Sequence, residues 1–122
     1  MNEAKLIAFV GTEDPVRARE FYEEVLGLKL VAIEPSALVF NANGTMLRVS
    51  LAPGFEPAAF TVLGWDVADI KTKADELVQR GVNFERFPDL GQDEKGIATF
   101  PDGTQVAWFK DPDGNMLSLT QF

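Results

Sequence analysis

The stretch Trp108-Phe-Lys-Asp-Pro-Asp-Gly-Asn115-Met-Leu-Ser-Leu-Thr-Gln121 reads as strand, turn, strand. Residues 106–109 are apolar and aromatic, which suits a half-buried pleated strand. Asp111-Pro112-Asp113-Gly114 reverses the chain: proline pre-sets the first central turn residue, Asp113 can bond its own backbone, and glycine tolerates a positive φ. Residues 116–120 return as a second strand, with Leu117 and Leu119 on one face and Met116, Ser118 and Thr120 on the other. The rest of the chain reads as a sheet protein built to end in this hairpin.

Working outward, residues 4–11 form a first strand. Thr12-Glu13-Asp14-Pro15 starts a helix, with a capping side chain and a proline where its missing N–H does no harm. The helix runs to about Leu26. Val16, Ala18, Phe21, Tyr22 and Val25 form its apolar face, and Gly27 stops it. Three strands follow, at 28–33, 37–41 and 46–51, the last two joined across Asn41-Ala-Asn-Gly44, a hairpin signal. The proline-bearing stretch 53–57 is a connector between a first module, about 1–52, and a second, about 58–122. The order then repeats. Residues 60–67 form a strand, and Asp69 caps a helix to about Arg80 with Ile70, Ala74, Leu77 and Val78 as its stripe. Gly81 ends that helix, 82–87 is a strand, 89–95 is an acidic loop, and 97–100 is a short strand or extended arm before the closing hairpin. The expected architecture is α+β, βαβββ twice within one domain, with the second half longer near 88–103.

Composition narrows the function classes. A chain of 122 residues can bury roughly two-thirds of the surface its unfolded form exposes. Hydrophobic residues at 46% and charged residues at 25% suit a soluble globular protein. Cysteine is absent, so there is no disulfide, thiolate site or cysteine nucleophile. No apolar run of membrane-spanning length and no secretion leader is visible, so no membrane partner and a cytoplasmic location are expected. Eleven basic residues against nineteen acidic ones leave a net charge of −8 without a basic patch, which disfavours nucleic acid. The charge serves solubility, or draws cationic ligands. Histidine is absent as well, removing the commonest general base and metal ligand together.

Three segments, Asp14 through Gly27, Trp65-Asp-Val-Ala-Asp69 and Trp108 through Leu119, resemble the vicinal oxygen chelate superfamily, which includes glyoxalase I, extradiol dioxygenases, and the fosfomycin and bleomycin resistance proteins. The likeness covers nearly the whole chain. It implies two βαβββ modules whose curled sheets enclose a cavity, commonly within a homodimer. Metal enzymes of the family hold a divalent ion with side chains from the first and last strand of each module. Counted from the capping aspartates and the turn glycines, those positions here carry Ile7, Arg48, Val62 and Ser118. Isoleucine and valine have no lone pair, arginine is a permanent cation, and serine alone is a weak ligand. The neighbours Leu6, Ala8, Leu47, Leu63 and Leu117 offer nothing better. No metal or other cofactor is therefore expected.

If these positions face a cavity, period two adds Phe9 and Phe60 to its wall, with Met46, Ser50, Gly64, Met116 and Thr120. Trp108 and Lys110 alternate away from Phe109, which the family pattern puts in the core. The candidate ligand pocket is thus Ile7, Phe9, Arg48, Phe60, Val62, Trp108, Lys110 and Ser118. Arg48 either pairs with a carboxylate such as Asp66 or Glu85, or bends to solvent, or anchors an anionic ligand. Trp108 is core, a dimer contact or a pocket wall. Trp65 packs, Tyr22 is core or interface, and the loop 89–94 is a solvated surface loop or, with Gly91 and Gly96 flanking it, a lid. The expected function is binding of a small molecule by a homodimer. The alternative is a superfamily enzyme acting on a small oxygenated substrate, either metal-free, with Arg48, Ser118 or Lys110 polarising an oxygen, or borrowing ligands from a partner chain. A structural or regulatory subunit that keeps the fold without the site is a third reading.

Overall fold

The computed structural model describes residues 1–122. The chain divides into two compact units, Met1–Pro57 and Ala58–Phe122. In the first, β1 (Ile7–Thr12), α1 (Pro15–Arg19), β2 (Lys29–Glu34), β3 (Ala37–Ala42) and β4 (Thr45–Leu51) build a sheet ordered β1-β4-β3-β2. In the second, β5 (Thr61–Asp66), α2 (Ile70–Gln79), β6 (Ala98–Thr99), β7 (Gln105–Lys110) and β8 (Met116–Gln121) build the sheet β5-β8-β7-β6. In each, the first strand lies parallel to the last and the remaining pairings are antiparallel. This is the α+β, twice-βαβββ arrangement the sequence order predicts.

Both helices start in the same way. Asp14 and Asp69 hold nearly identical extended backbones, φ −136° with ψ 91° and 94°, and each accepts a bond from the N–H three residues on, at Arg17 and Thr72. This satisfies one of the orphan donors of a helix start. The Thr12 hydroxyl also accepts from the Asp14 N–H at 3.0 Å. The first helix does not stay α-helical to its end: Glu20–Val25 is a π-helix, closed by Leu26 N–H to the Phe21 carbonyl at 2.9 Å. A wider turn carries one extra residue. Tyr22 sits fully buried there, its ring 5.9 Å from that of Phe40. Val16 and Val78, expected on apolar stripes, are exposed, since each lies at the margin of its helix's buried face.

Alternation along the strands assigns each sheet a covered and an open face. In the first unit Val10, Leu38, Phe40, Leu47 and Val49 are buried with Ala18 and Tyr22, while Ile7, Phe9 and Met46 stay exposed on the other face. In the second, Leu117, Leu119, Ala107 and Phe109 are buried with Ile70, Ala74 and Leu77. Their alternates Met116, Thr120, Val106 and Trp108 are half-buried on the open face.

Two expectations fail in the second unit. Residues 82–87 are not a strand: they touch β7 only through a bridge between Phe84 and Phe109 and the Glu85 N–H bonded to the Trp108 carbonyl. The edge of β7 is shared instead between this arm, at Trp108 and Phe109, and the two-residue β6, at Gln105 and Val106. The turn after β7 is organised by Asp111 rather than Asp113. The buried Asp111 carboxylate accepts from the Asp113 and Asn115 N–H groups at 2.9 Å and from the Asn115 amide at 2.8 Å. Gly114 closes the turn at φ 89°.

Candidate functional site

The candidate residues sort onto the two open faces, each belonging to one unit. On the first unit's sheet, parallel pairing places Ile7 opposite Met46, Phe9 opposite Arg48 and Gly11 opposite Ser50. The face is aliphatic and aromatic at Ile7, Phe9 and Met46, with Asn41 and the exposed Lys29 in line with Met46 and one ion pair beside Phe9. Arg48 bonds the Glu34 carboxylate at 2.5 Å, and neither side chain is buried. Arg48 pairs laterally with Val39 and Glu34 with Ala37, so the ion pair reaches across β3, where Val39 and Ala37 are buried. Pairing with Asp66 or Glu85 is overturned. Glu34 lies two strands away in the same sheet, whereas Glu85 is engaged with Lys110 and Asp66 sits on β5. The arginine's charge is already met, so it is not a free anion anchor.

Phe55 also belongs to this face. A Cβ at Gly11 would lie 3.1 Å from the Phe55 ring, closer than side chains tolerate without adjustment. Glycine at 11 therefore lets the ring lie directly on β1. The connector holds the ring there by bonds from the Ala52 N–H to the Thr12 carbonyl and from the Phe55 N–H to the Ala52 carbonyl. Sequence reading passed Phe55 over as connector. The only signal was a lone aromatic between Pro53 and Pro57.

On the second unit's sheet, period two is broken at Val62. Thr61 pairs with Met116 and Gly64 with Ser118, leaving Val62 as the extra residue of a bulge. The expected alternation of Phe60, Val62 and Gly64 on one face therefore fails. Phe60 lies outside the strand, exposed, and Thr61 takes the open-face position. Gly64 and Ser118 do share that face: a Cβ at Gly64 would stand 3.0 Å from the Ser118 hydroxyl oxygen. Ser118 is buried and lies opposite Trp108.

Trp108 is not core. It stands on the open face with its ring edge-on to Phe87, centroids 5.4 Å apart at 86°. One residue pair away, Lys110 lies 3.6 Å from Glu85. The arm 84–87 thus supports Trp108 and meets the lysine's charge. It is itself pinned by Gln92, whose side-chain oxygen accepts from the Phe87 N–H at 2.7 Å and whose amide donates to the Glu85 and Gly96 carbonyls at 2.8 Å. Arg86 adds bonds to the Asp93 and Glu94 carbonyls. Asp93 accepts from the Lys95 and Ile97 N–H groups at 2.9 Å. Lys95 pairs with Asp75 on α2, which holds its ammonium pKa above the usual range. So many bonds make the loop a brace rather than a lid.

The donor set does not fit a divalent ion. Ile7 and Val62 offer hydrocarbon, Arg48 offers a cation already bonded to Glu34, and Ser118 offers one hydroxyl. The fold brings no three aspartate or glutamate side chains together as a cage. No helix is long and apolar enough to cross a membrane.

The profile of the Glyoxalase/Bleomycin resistance protein/Dioxygenase superfamily matches residues 6–119. Among solved structures, a glyoxalase family protein from Enterococcus faecalis superposes with a TM-score of 0.78 at 18% identity, covering 98% of this chain and 99% of that one. A glyoxalase/bleomycin resistance protein/dioxygenase from Alicyclobacillus acidocaldarius gives 0.76 at 19% identity, covering 98% and 92%. Lactoylglutathione lyase from Agrobacterium tumefaciens gives 0.74 at 17% identity, covering 98% and 93%. No functionally curated protein matches.

Proposed function

The chain belongs to the Glyoxalase/Bleomycin resistance protein/Dioxygenase superfamily, and on that premise we propose that it binds a small organic molecule against an open sheet face, with no divalent metal at the family position. The observation that carries this reading is the composition of that position: Ile7, Arg48 engaged by Glu34, Val62 and Ser118. Apolar walls with a few convergent polar groups are the usual form of a small-molecule site. Trp108 on its Phe87 support, Ser118 opposite it and the Lys110–Glu85 pair beside it supply both kinds of group. The metal-dependent chemistry of the family's enzymes would need ligands in place of isoleucine and valine. No step through a metal is assigned to this chain.

The test has two parts. Elemental analysis of protein purified without chelator, before and after incubation with nickel, zinc, manganese and iron, is expected to find far less than stoichiometric metal. A stoichiometric ion would break the reading. Tryptophan emission is then followed during titration with a panel of small aromatic and aliphatic compounds. The response is expected to come from Trp108 and to disappear in Trp108→Phe, with Trp65 as the internal control. No response from any compound at millimolar concentration would leave the fold without this function.

A further inference from the structure

A groove lies at one end of the second unit's open face, away from Lys110. Its floor is Val106 and Thr120, which are lateral neighbours on β7 and β8. Its walls are Phe100, Pro101 and Phe122, and Asp102 and Thr104 stand at its rim. Both phenylalanines are solvent-exposed, Phe122 almost wholly. No lysine or arginine lines it. The Asp102 carboxylate accepts the Thr104 N–H at 2.9 Å, and this bond, helped by the Thr104 hydroxyl, holds its pKa below the ordinary aspartate value. A second carboxylate adjoins the floor: Asp66 is the lateral neighbour of Thr120 on β5 and is exposed on the same face. Neither Asp66 nor Asp102 has an ion-pair partner, whereas Lys110, the cation at the far end of this face, is met by Glu85.

We propose that this groove binds the positively charged end of a cationic amphiphile, with the cation at Asp102 on the side facing Asp66 and the apolar body on Phe100, Phe122 and Val106. Asp102, without a counter-ion and lining the groove with two phenylalanines, attracts an ammonium by charge and the rings attract it by their quadrupole, and Asp66 beyond Thr120 adds a second negative charge on the same face. An anion would be repelled by both carboxylates, and a neutral molecule would gain the apolar contact alone. The chain's net charge of −8 adds a field of the same sign. The proposal rests on the reading of the chain as a small-molecule binder and names the ligand class.

The experiment is amide NMR titration of the whole chain with benzyltrimethylammonium, its uncharged isostere neopentylbenzene, and benzenesulfonate. The cation is expected to shift the amides of Thr104, Val106, Thr120 and Phe122, and the sulfonate to leave them unmoved. Asp102→Asn keeps an acceptor for the Thr104 N–H and is expected to weaken the cation about threefold to tenfold. Asp66→Asn is expected to weaken it less, and Phe122→Ala to weaken cation and neutral isostere alike. Equal affinity for the isostere, or an unchanged titration in Asp102→Asn, would overturn the proposal. So would no groove shifts with the cation at millimolar concentration. Shifts confined to Phe87, Trp108 and Ser118 would overturn it too, while leaving the binding function standing. Groove amides that move with protein concentration alone would assign the groove to a second copy of the chain and overturn it as well.

Discussion

The two halves of the chain carry one topology and build their outer sheet edge in opposite ways. In the first unit the edge is a full strand, β2, laddered along β3 with a register shift between Leu30 and Ala32. In the second, the same place beside β7 is divided between a side-chain-braced arm at 84–87 and the two-residue β6. A ladder satisfies its own backbone, so β2 needs little from elsewhere. The arm has few ladder bonds and depends on Gln92, Arg86 and Asp93 for its hydrogen bonding. The open faces differ accordingly. The first carries Ile7, Phe9 and Met46 with Phe55 lying on β1, one ion pair, and Lys29 at its edge. The second holds Trp108 in place through the arm and leaves carboxylates unmatched at one end. A side-chain-built edge can position a particular aromatic ring in a way that a regular ladder does not require.

The largest effect that would break this comparison lies in the two hairpin turns. Asp111→Ala removes a buried acceptor of three hydrogen bonds and is expected to cost about 3 kcal/mol in urea unfolding. Asn41→Ala, at the matching turn, removes one exposed bond to the Gly44 N–H and is expected to cost about 0.5 kcal/mol. Equal costs would mean that the two turns are built alike after all.

Next comes the brace. Gln92→Ala removes three bonds and is expected to cost about 2 kcal/mol. It should also red-shift the Trp108 emission as Phe87 loosens. An unchanged spectrum would detach the arm from the tryptophan. Glu34→Gln, on the first unit, frees Arg48 at a cost of roughly 0.5 kcal/mol, since the pair is partly solvated. It is expected to create weak affinity for small carboxylates, detected by calorimetric titration, where the parent chain shows none.

The smallest effects are in pH. The Thr72 N–H and hydroxyl lower the Asp69 pKa in the folded state. The resulting stability is present above the unfolded value and lost as pH falls through the lowered folded one. Thermal unfolding of Asp69→Asn should therefore differ from the parent at neutral pH and converge with it in strong acid. Lys95 runs oppositely. Its raised pKa gives stability that is full below the unfolded value and is lost as pH rises through the folded one. Lys95→Met should converge with the parent only in strong alkali.

Much of this organisation was legible along the chain because it is local. Asp14 and Asp69 announce helix starts, since a cap acts on N–H groups within three residues of itself. Gly44 and Gly114 mark turns, since a positive φ is a property of one residue. Alternation put Leu117 and Leu119 on one face and Trp108 opposite in facing to Phe109, while leaving open whether Trp108 is core. The order of elements and the family motifs then settled the fold class, and the residues at the four family metal positions spoke against a ligand set. What only the tertiary structure decided involves partners remote in sequence or breaks in periodicity. The bulge at Val62 broke the alternation that put Phe60, Val62 and Gly64 on one face, and no residue type marks a bulge there. Arg48 found Glu34 because strand order brings β4 and β2 within reach across β3. Gln92 reads as an ordinary polar residue in an acidic loop until the fold sets it against Phe87, Glu85 and Gly96. Caps and turns act over a few residues and are written in order along the chain. Ion pairs, braces and grooves depend on which strands lie side by side, and that neighbourhood exists only once the sheet has formed.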